Sequence, residues 1–520
     1  MESGKKSSDK LNIIISLIFL ALIAAFGFYI NRDIVIKGMY MDDLYLWSYF
    51  REENILEFAF PLGTAKRCRF IYWLAAYIQM MIAGHHITRF VTINIILNIG
   101  VAWLLYYMAL KLSKSAVTAL AVSASYLSSR FAYYQIGQVI GLMETMALFF
   151  AILVLWCLYR YIKEEKSYYA GLFVYFLLVF THERYISLLP LFYLALIIRV
   201  AGAGKPGYKK EIKRNIAKWL IPVAELIVIL LLRALFSGRA MPAGTGGTQV
   251  TDTFSVRECI GFALSQIAYI FGINAGPEYL SGISWHQTPD SIRKAVYAGI
   301  VLIALITAAY ITSVMISAAK EKKGNRIIFE NISAGLLFTG FIALCIGCSS
   351  VTIRVEMRWI YVSYSAALLY AAYMIGEIRG RISGANAAGA VAVIFAAYSI
   401  LSAGINIFYR GYFYNIYFMP NQLRMNSLTE QTVEKYGTEG VFGKDIYLLE
   451  NTYEMTDFYA ETFFMQFDPE MNAEGTRVIF ANSLEEVPVD SVRAGKALVL
   501  EEVPSENAYR DITADIMEQK

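Results

Sequence analysis

Four short stretches of this chain hold the residues most able to do chemistry. Tyr40-Met-Asp42-Asp43-Leu-Tyr-Leu-Trp opens an amphipathic stretch with two adjacent carboxylates, just past the first long apolar run. Paired acids can hold a divalent cation through oxygen ligands or take a proton from a hydroxyl. They also suit a helix N-terminus, where Asp caps and favours the dipole. Glu144 stands where an apolar run begins; an ionisable group at the hydrocarbon edge needs a partner or must reach water, and Arg130 is a candidate partner. Thr181-His182-Glu183-Arg184 lies between two apolar runs. It can hold an anion or orient a carboxylate, or it is a solvated turn with a local Glu–Arg pair. Arg354-Val-Glu356-Met-Arg358 places two guanidiniums four residues apart, on one face if helical. Arg grips phosphate bidentately, and it equally anchors a helix among lipid headgroups.

Other chemistries find little support. The chain has four His, and three of them (His85, His86, His286) are scattered, which gives no zinc spacing. Cys345 and Cys348 form a C-x-x-C inside an apolar run, where buried packing is the expected role. Gly244-Thr-Gly-Gly-Thr248 lacks a preceding strand and a following Lys, so it fails as a phosphate loop and reads as a flexible lid.

The elements that must position these residues are membrane helices. Of 520 residues, 57% are hydrophobic and only 17% charged, and the mean hydropathy is +0.48. A soluble globule carries roughly 25% charge, so composition excludes a soluble enzyme and a disordered chain. Apolar runs occur at about 11–30, 70–84, 88–110, 115–129, 143–161, 167–181, 185–200, 216–236, 295–318, 327–348, 357–376 and 386–404. Basic connectors such as Lys209, Lys210 and Lys213, or Lys320, Lys322 and Lys323, mark the cytoplasmic side. These markers agree with one another if the run 70–84 does not cross. At about 15 residues it is short for a span and reads as a helix in the outer interface.

The expected architecture is a polytopic α-helical membrane protein with about 11 transmembrane helices, exoplasmic interfacial helices and a small C-terminal α/β exoplasmic domain. Residues 1–404 form the transmembrane domain, with outer loops 31–87 and 237–294. Residues 405–520 form the tail, whose 9 Lys and Arg against 20 Asp and Glu make it acidic within a chain of net charge +4. No clustered basic face points to nucleic acid. The N-terminus is expected in the cytoplasm and the C-terminus outside, in a bacterial-type plasma membrane.

The order of these features resembles the GT-C class of membrane glycosyltransferases, which includes protein mannosyltransferases and aminoarabinose transferases. Members have one span, then a long exoplasmic loop that opens with an acidic pair and continues into interfacial helices. Arg69-Phe-Ile-Tyr72-Trp73 looks like the onset of the interfacial helix, and His182-Glu183-Arg184 like the turn before a later span. The resemblance implies that Asp42 or Asp43, with Glu144 as second acid, is catalytic or binds metal. It implies that His182, Arg184, Arg354 and Arg358 bind the donor phosphate. A divalent metal ion, magnesium or manganese, is the one cofactor it allows. The implied reaction is inverting transfer of a sugar from a polyprenyl-phosphate carrier to a glycan, lipid or protein acceptor on the outer face.

The competing reading is a transporter or flippase of a lipid-linked glycan. A transporter concentrates ionisable groups near mid-span and shows inverted repeats. Here the ionisable groups cluster at the outer ends of the runs, with Glu225 and Arg233 as the main exceptions. A polysaccharide polymerase or O-acetyltransferase is expected to carry a large outer loop rich in Arg or His, and the 237–294 loop is poor in both.

Overall fold

A computed structural model describes residues 2–60, 67–203, 207–238, 240, 255–277, 283–321, 324–352, 354–381, 385–412, 419–450, 452, 455–468, 471 and 475–518. The Gly244–Thr248 loop lies outside them.

Each of the twelve apolar runs is a helix. Eight are long and apolar enough to cross a membrane, among them Arg89–Ser113, Gly141–Glu164, Asp290–Lys320, Gly324–Ser350 and Met357–Arg381. Among the described residues four apolar stretches are shorter: Phe70–Ala83, Ala116–Ser128, Tyr168–Val179, and Ile14–Ile30, which is part of the 29-residue helix Glu2–Ile30. Apolar surface faces outward as well as inward. Leu220, Val223, Ile227, Leu231 and Leu235 on the helix Ile216–Ser237 are exposed, which is what a lipid-facing helix presents. Met357–Arg381 is the opposite case: 89% of its apolar window is buried, against 17% for Ile216–Ser237. It is the central post of the bundle, and its first turn carries Arg358.

The helix Phe70–Ala83 has 14 residues, about 21 Å at 1.5 Å per residue, short of a ~30 Å hydrocarbon core; Ala116–Ser128 and Tyr168–Val179, with 13 and 12 residues, are shorter still, so length does not set it apart from them. It buries Tyr72, Ala76, Gln79, Met80 and Ala83 on one stripe and exposes Ile78, Met81 and Ile82. Before it come the helices Asp42–Glu52 and Ile55–Ala59. The second starts at a capping box: Asn54 Oδ1 accepts from the amides of Leu56 and Glu57, and Glu57 Oε2 accepts from the Asn54 amide.

The tail carries a four-stranded sheet of order β2-β1-β3-β4, with β1 Asp445–Leu449, β2 Arg477–Ala481, β3 Ala497–Val503 and β4 Ala508–Asp511. β1 runs parallel to both β2 and β3, and β4 is antiparallel to β3. Because strand side chains alternate, the sheet has two apolar faces. Ile446, Leu448, Val478, Leu498 and Leu500 join the same continuous core as the bundle. Tyr447, Leu449, Ala497 and Val499 pack under Val487, Val492 and Ile516 on the other side.

Three expectations are corrected here. The boundary at 405 falls inside the helix Ala385–Arg410, which runs on until Arg410. The stretch 237–294, expected to be a loop, contains the helix Val256–Ile270, started by Ser255 Oγ accepting from the Glu258 amide and docked by Gln266 on Ser349 and Ser350. Arg354 precedes the helix Met357–Arg381, so it shares no helical face with Arg358.

The tail also holds the extended segment 34–40 that leads to the acid pair. Asn426 accepts from the Lys37 amide at 2.8 Å and donates to the Val35 carbonyl. Gln466 accepts from the Met39 amide, and Gln422 donates to the Gly38 carbonyl. Lys37 Nζ sits 2.8 Å from both Glu430 and Glu434. Gly38 is required by space: a Cβ there would come 2.8 Å from Thr429 Oγ1, 2.9 Å from Phe463 and 3.1 Å from the Met425 carbonyl. Gly38→Val is expected to cost about 1–3 kcal/mol by overpacking. The measurable result is a lower melting temperature and faster proteolysis of the tail, with the bundle left intact.

Candidate functional site

The acid pair occupies the first turn of the helix Asp42–Glu52, as the dipole favours. The two carboxylates part company there. Asp43 is 4% exposed and accepts from two amides of a distant turn, Val139 at 2.8 Å and Ile140 at 2.7 Å. That turn is fixed from below, where Asn94 Nδ2 donates to the carbonyls of Ile136 and Gln138 and is itself oriented by Gln79. Burial, above all, lifts the Asp43 carboxyl to about 7, with the Asp42 charge adding to it and the two amides opposing. Asp42 faces outward and is exposed. The residue before the pair, Met41, has φ +45° and ψ −115°, a conformation an L-residue holds only where its surroundings impose it.

Beneath the pair lies a set of buried ion pairs. Arg69 and Glu183 meet fork to fork, with Nε to Oε2 at 2.6 Å and Nη2 to Oε1 at 2.8 Å. Arg184 Nη2 donates to Glu144 Oε2 at 2.6 Å. His182 sits between the pairs, Nε2 3.5 Å from Glu144 and Nδ1 3.8 Å from Glu183. Because Nδ1 accepts from the Arg184 amide, the ring proton is assigned to Nε2, on the Glu144 side. Glu144 thus finds Arg184 as its partner. Arg130 turns elsewhere, donating to the carbonyls of Tyr269, Asn274 and Ala275 and to Asn406. Thr181-His182-Glu183 is buried throughout, so the solvated-turn reading is corrected. Glu183–Leu188 is a short 3₁₀ helix entering the next span.

Glu356 collects the late arginines: Arg354 Nε lies 2.6 Å away and Arg358 Nε 3.6 Å. Trp359 lies against the guanidiniums of Arg184 and Arg358, which links this group to the buried pairs. The charge of Asp42 acts on both Arg67 and Arg358. Burial, then the like charges of Arg69 and Arg358, push the Arg67 guanidinium down to about 10. Glu144 Oε1, Arg184 Nη1 and Arg358 Nε are buried with no hydrogen-bond partner among the described residues. Buried donors rarely stay unmatched, so crowded, under-satisfied guanidiniums beside an exposed carboxylate make this end of the bundle suited to an incoming anion.

The structure therefore brings Asp42, Asp43, Glu144, His182, Arg184 and Arg358 together and leaves Arg354 at the rim, its side chain 51% exposed. Arg67 beside Glu183, the Arg69–Glu183 fork and the Glu356 hub were missed. The signal for the fork was present in Arg69 and Glu183, two unlike charges beside apolar runs that each need a partner. Asp42, Asp43 and Glu144 do not form a common ligand set: Asp43 spends both oxygens on amides, Glu144 is held by Arg184, and no group of three His, Cys, Asp or Glu converges among the described residues. Of these three carboxylates, Asp42 is the one left open to a cation.

No protein-family model matches this chain, and no curated protein matches it. The GT-C resemblance accordingly rests on the residues themselves.

Asp43 gives the site a pH signature. Its carboxyl is raised, so between about pH 4 and 7 the folded chain keeps a proton that the unfolded chain has released. Stability contributed by this group is complete below about pH 4, falls as pH rises through about 7, and then levels off. In Asp43→Asn this titration is gone. The wild-type melting temperature minus that of the variant should fall between about pH 4.5 and about pH 8; a flat or rising difference would show that the carboxyl is not raised.

Proposed function

We propose that this chain is a membrane glycosyltransferase that moves a sugar from a polyprenyl-phosphate carrier to an acceptor hydroxyl on the outer face of the membrane. The observation that carries the reading is the exposed Asp42 carboxylate within electrostatic reach of Arg67 and Arg358, above buried, under-satisfied charges. Asp42 is the general base and takes the acceptor proton as the acceptor oxygen attacks the anomeric carbon. The bond from that carbon to the phosphate oxygen breaks, its electron pair leaves with polyprenyl phosphate, and configuration inverts. Arg358 and Arg67 meet the charge on the departing phosphate. Asp43 is a positioning residue that ties the acid pair to the turn before the helix Gly141–Glu164. Arg69–Glu183 and Glu144–Arg184 hold the floor, and His182 spaces them.

In this reading eleven helices cross, Phe70–Ala83 lies in the outer interface, the N-terminus is cytoplasmic and the tail is outside. The tail roofs the site, since Tyr459 feels the Asp42 charge. A glycan transporter fits less well, because the buried charges gather at helix starts: Glu144 is in the first turn of Gly141–Glu164 and Arg358 in the first turn of Met357–Arg381.

Purified chain in liposomes with radiolabelled polyprenyl-phosphate sugars should release polyprenyl phosphate. Asp42→Asn should lower kcat by about 10²–10⁴ at unchanged melting temperature, and Arg358→Gln, which removes a donor to the departing phosphate, should lower kcat as well. Lipid-linked sugar crossing the bilayer intact, with Asp42→Asn fully active, would move the transporter ahead. Chelation tests whether Asp42 also needs a cation. For the topology, alkaline phosphatase fused after Lys520 should be active and a green fluorescent protein there dark; the reverse would place the tail, and the site, inside.

A further inference from the structure

The same helices that bring Glu144 and Arg358 together at one end enclose a cavity of about 750 Å³ at the other. Arg160 follows Glu144 by 16 positions on the helix Gly141–Glu164, so the two ends are about 24 Å apart along the axis. The cavity wall is basic: Lys111, Lys114, Arg160, Lys163 and Arg381 line it, against Glu164, Glu321 and Glu377. Much of this charge is internally matched. Arg160 pairs with Glu164 at 3.1 Å and Arg381 with Glu377 at 2.6 Å, while Lys163 lies 3.7 Å from Glu330 outside the wall. Lys111 and Lys114 have no ion-pair partner among the described residues.

Aromatic rings supply a second surface. Trp156 stacks on Tyr159 at 5.6 Å and meets Tyr107 edge-on at 6.3 Å, and the Lys111 ammonium stands 5.5 Å from the Tyr107 ring centre. Two glycines shape the space. At Gly376 a Cβ would collide with the Leu112 carbonyl, so only glycine lets these helices approach so closely. One turn further on, at Gly380, a Cβ would meet nothing within 4 Å, leaving that part of the wall bare.

A concave site with unmatched ammonium groups beside an aromatic wall fits a phosphate ester with an apolar portion attached. Basic pockets between membrane helices hold phosphate headgroups in this way. We propose that this cavity binds a phosphate-bearing ligand, its anion held by Lys111 and Lys114 and its apolar portion lying on Tyr107 and Trp156. The source is either an anionic phospholipid or a soluble organic phosphate. The site is separate from the glycosyl-transfer reading and does not depend on it.

The experiment uses the full chain in nanodiscs of phosphatidylcholine, read by binding alone. One arm titrates pyrophosphate and adenosine triphosphate by calorimetry. The other adds phosphatidylglycerol and counts lipids retained in native mass spectrometry. Binding in the first arm identifies a soluble source, and retention in the second alone identifies a lipid. Lys111→Gln/Lys114→Gln should weaken whichever is bound by about tenfold or more. Gly380→Phe, which fills the bare wall without touching a charge, should weaken it as well. Equal melting temperatures in all three proteins exclude misfolding. The proposal is overturned if the wild type binds none of these probes, or if the double variant binds as tightly as the wild type.

Discussion

Everything at the acidic end of this molecule hangs on two carboxylates held out of water by arginines. Glu183 and Glu144 are each about 1% exposed, and neither could stay charged there without its guanidinium. Removing one partner of such a pair leaves an uncompensated buried charge, at a cost of about 3–5 kcal/mol. The pairs are also what joins the parts. Arg69 is the residue before the helix Phe70–Ala83, Glu144 comes from the start of the helix Gly141–Glu164, and Glu183 and Arg184 come from one turn between two apolar helices. Fixing these charges fixes the relative places of three chain segments, and Asp43, through the Val139 and Ile140 amides, ties the acid pair to the turn that leads into the helix of Glu144.

Helix existence was legible in the sequence, because a segment in lipid must be helical to satisfy its own backbone and must carry a long run of apolar side chains to face hydrocarbon. All twelve apolar runs are helices, and the tail expected to be α/β holds a four-stranded sheet. The acid pair, Glu144, the His182–Arg184 turn and Arg358 could be picked out because charges are rare in such a chain and stand out. Their partners could not. Arg69 and Glu183 are 114 residues apart, and Asp43 reaches amides 96 and 97 residues away; no local pattern encodes such distances.

Two misreadings have local causes. Helical spacing of Arg354 and Arg358 says nothing unless both lie in a helix, and the chain enters its helix only at Met357. The helix Val256–Ile270 was read as part of a loop, yet Val256, Ile260, Leu264 and Ile267 recur at helical intervals and are all exposed. Its one buried polar anchor, Gln266, fixes it to Ser349 and Ser350, just ahead of the arginine cluster.

The fastening of Gly38 has a consequence in time. The Gln422 side chain that holds its carbonyl lies 384 residues later in the chain, and Gln466 and Asn426, which hold its neighbours, are equally late. At about 5–20 residues per second, the ribosome makes the acid-pair segment roughly 20–80 s before it makes the residues that fasten it. During that interval the bundle can insert helix by helix while the carboxylates stand unfastened. Residues made long after the acid pair thus complete the fastening of its segment, and a chain ended before Asn426 would leave that segment unfastened.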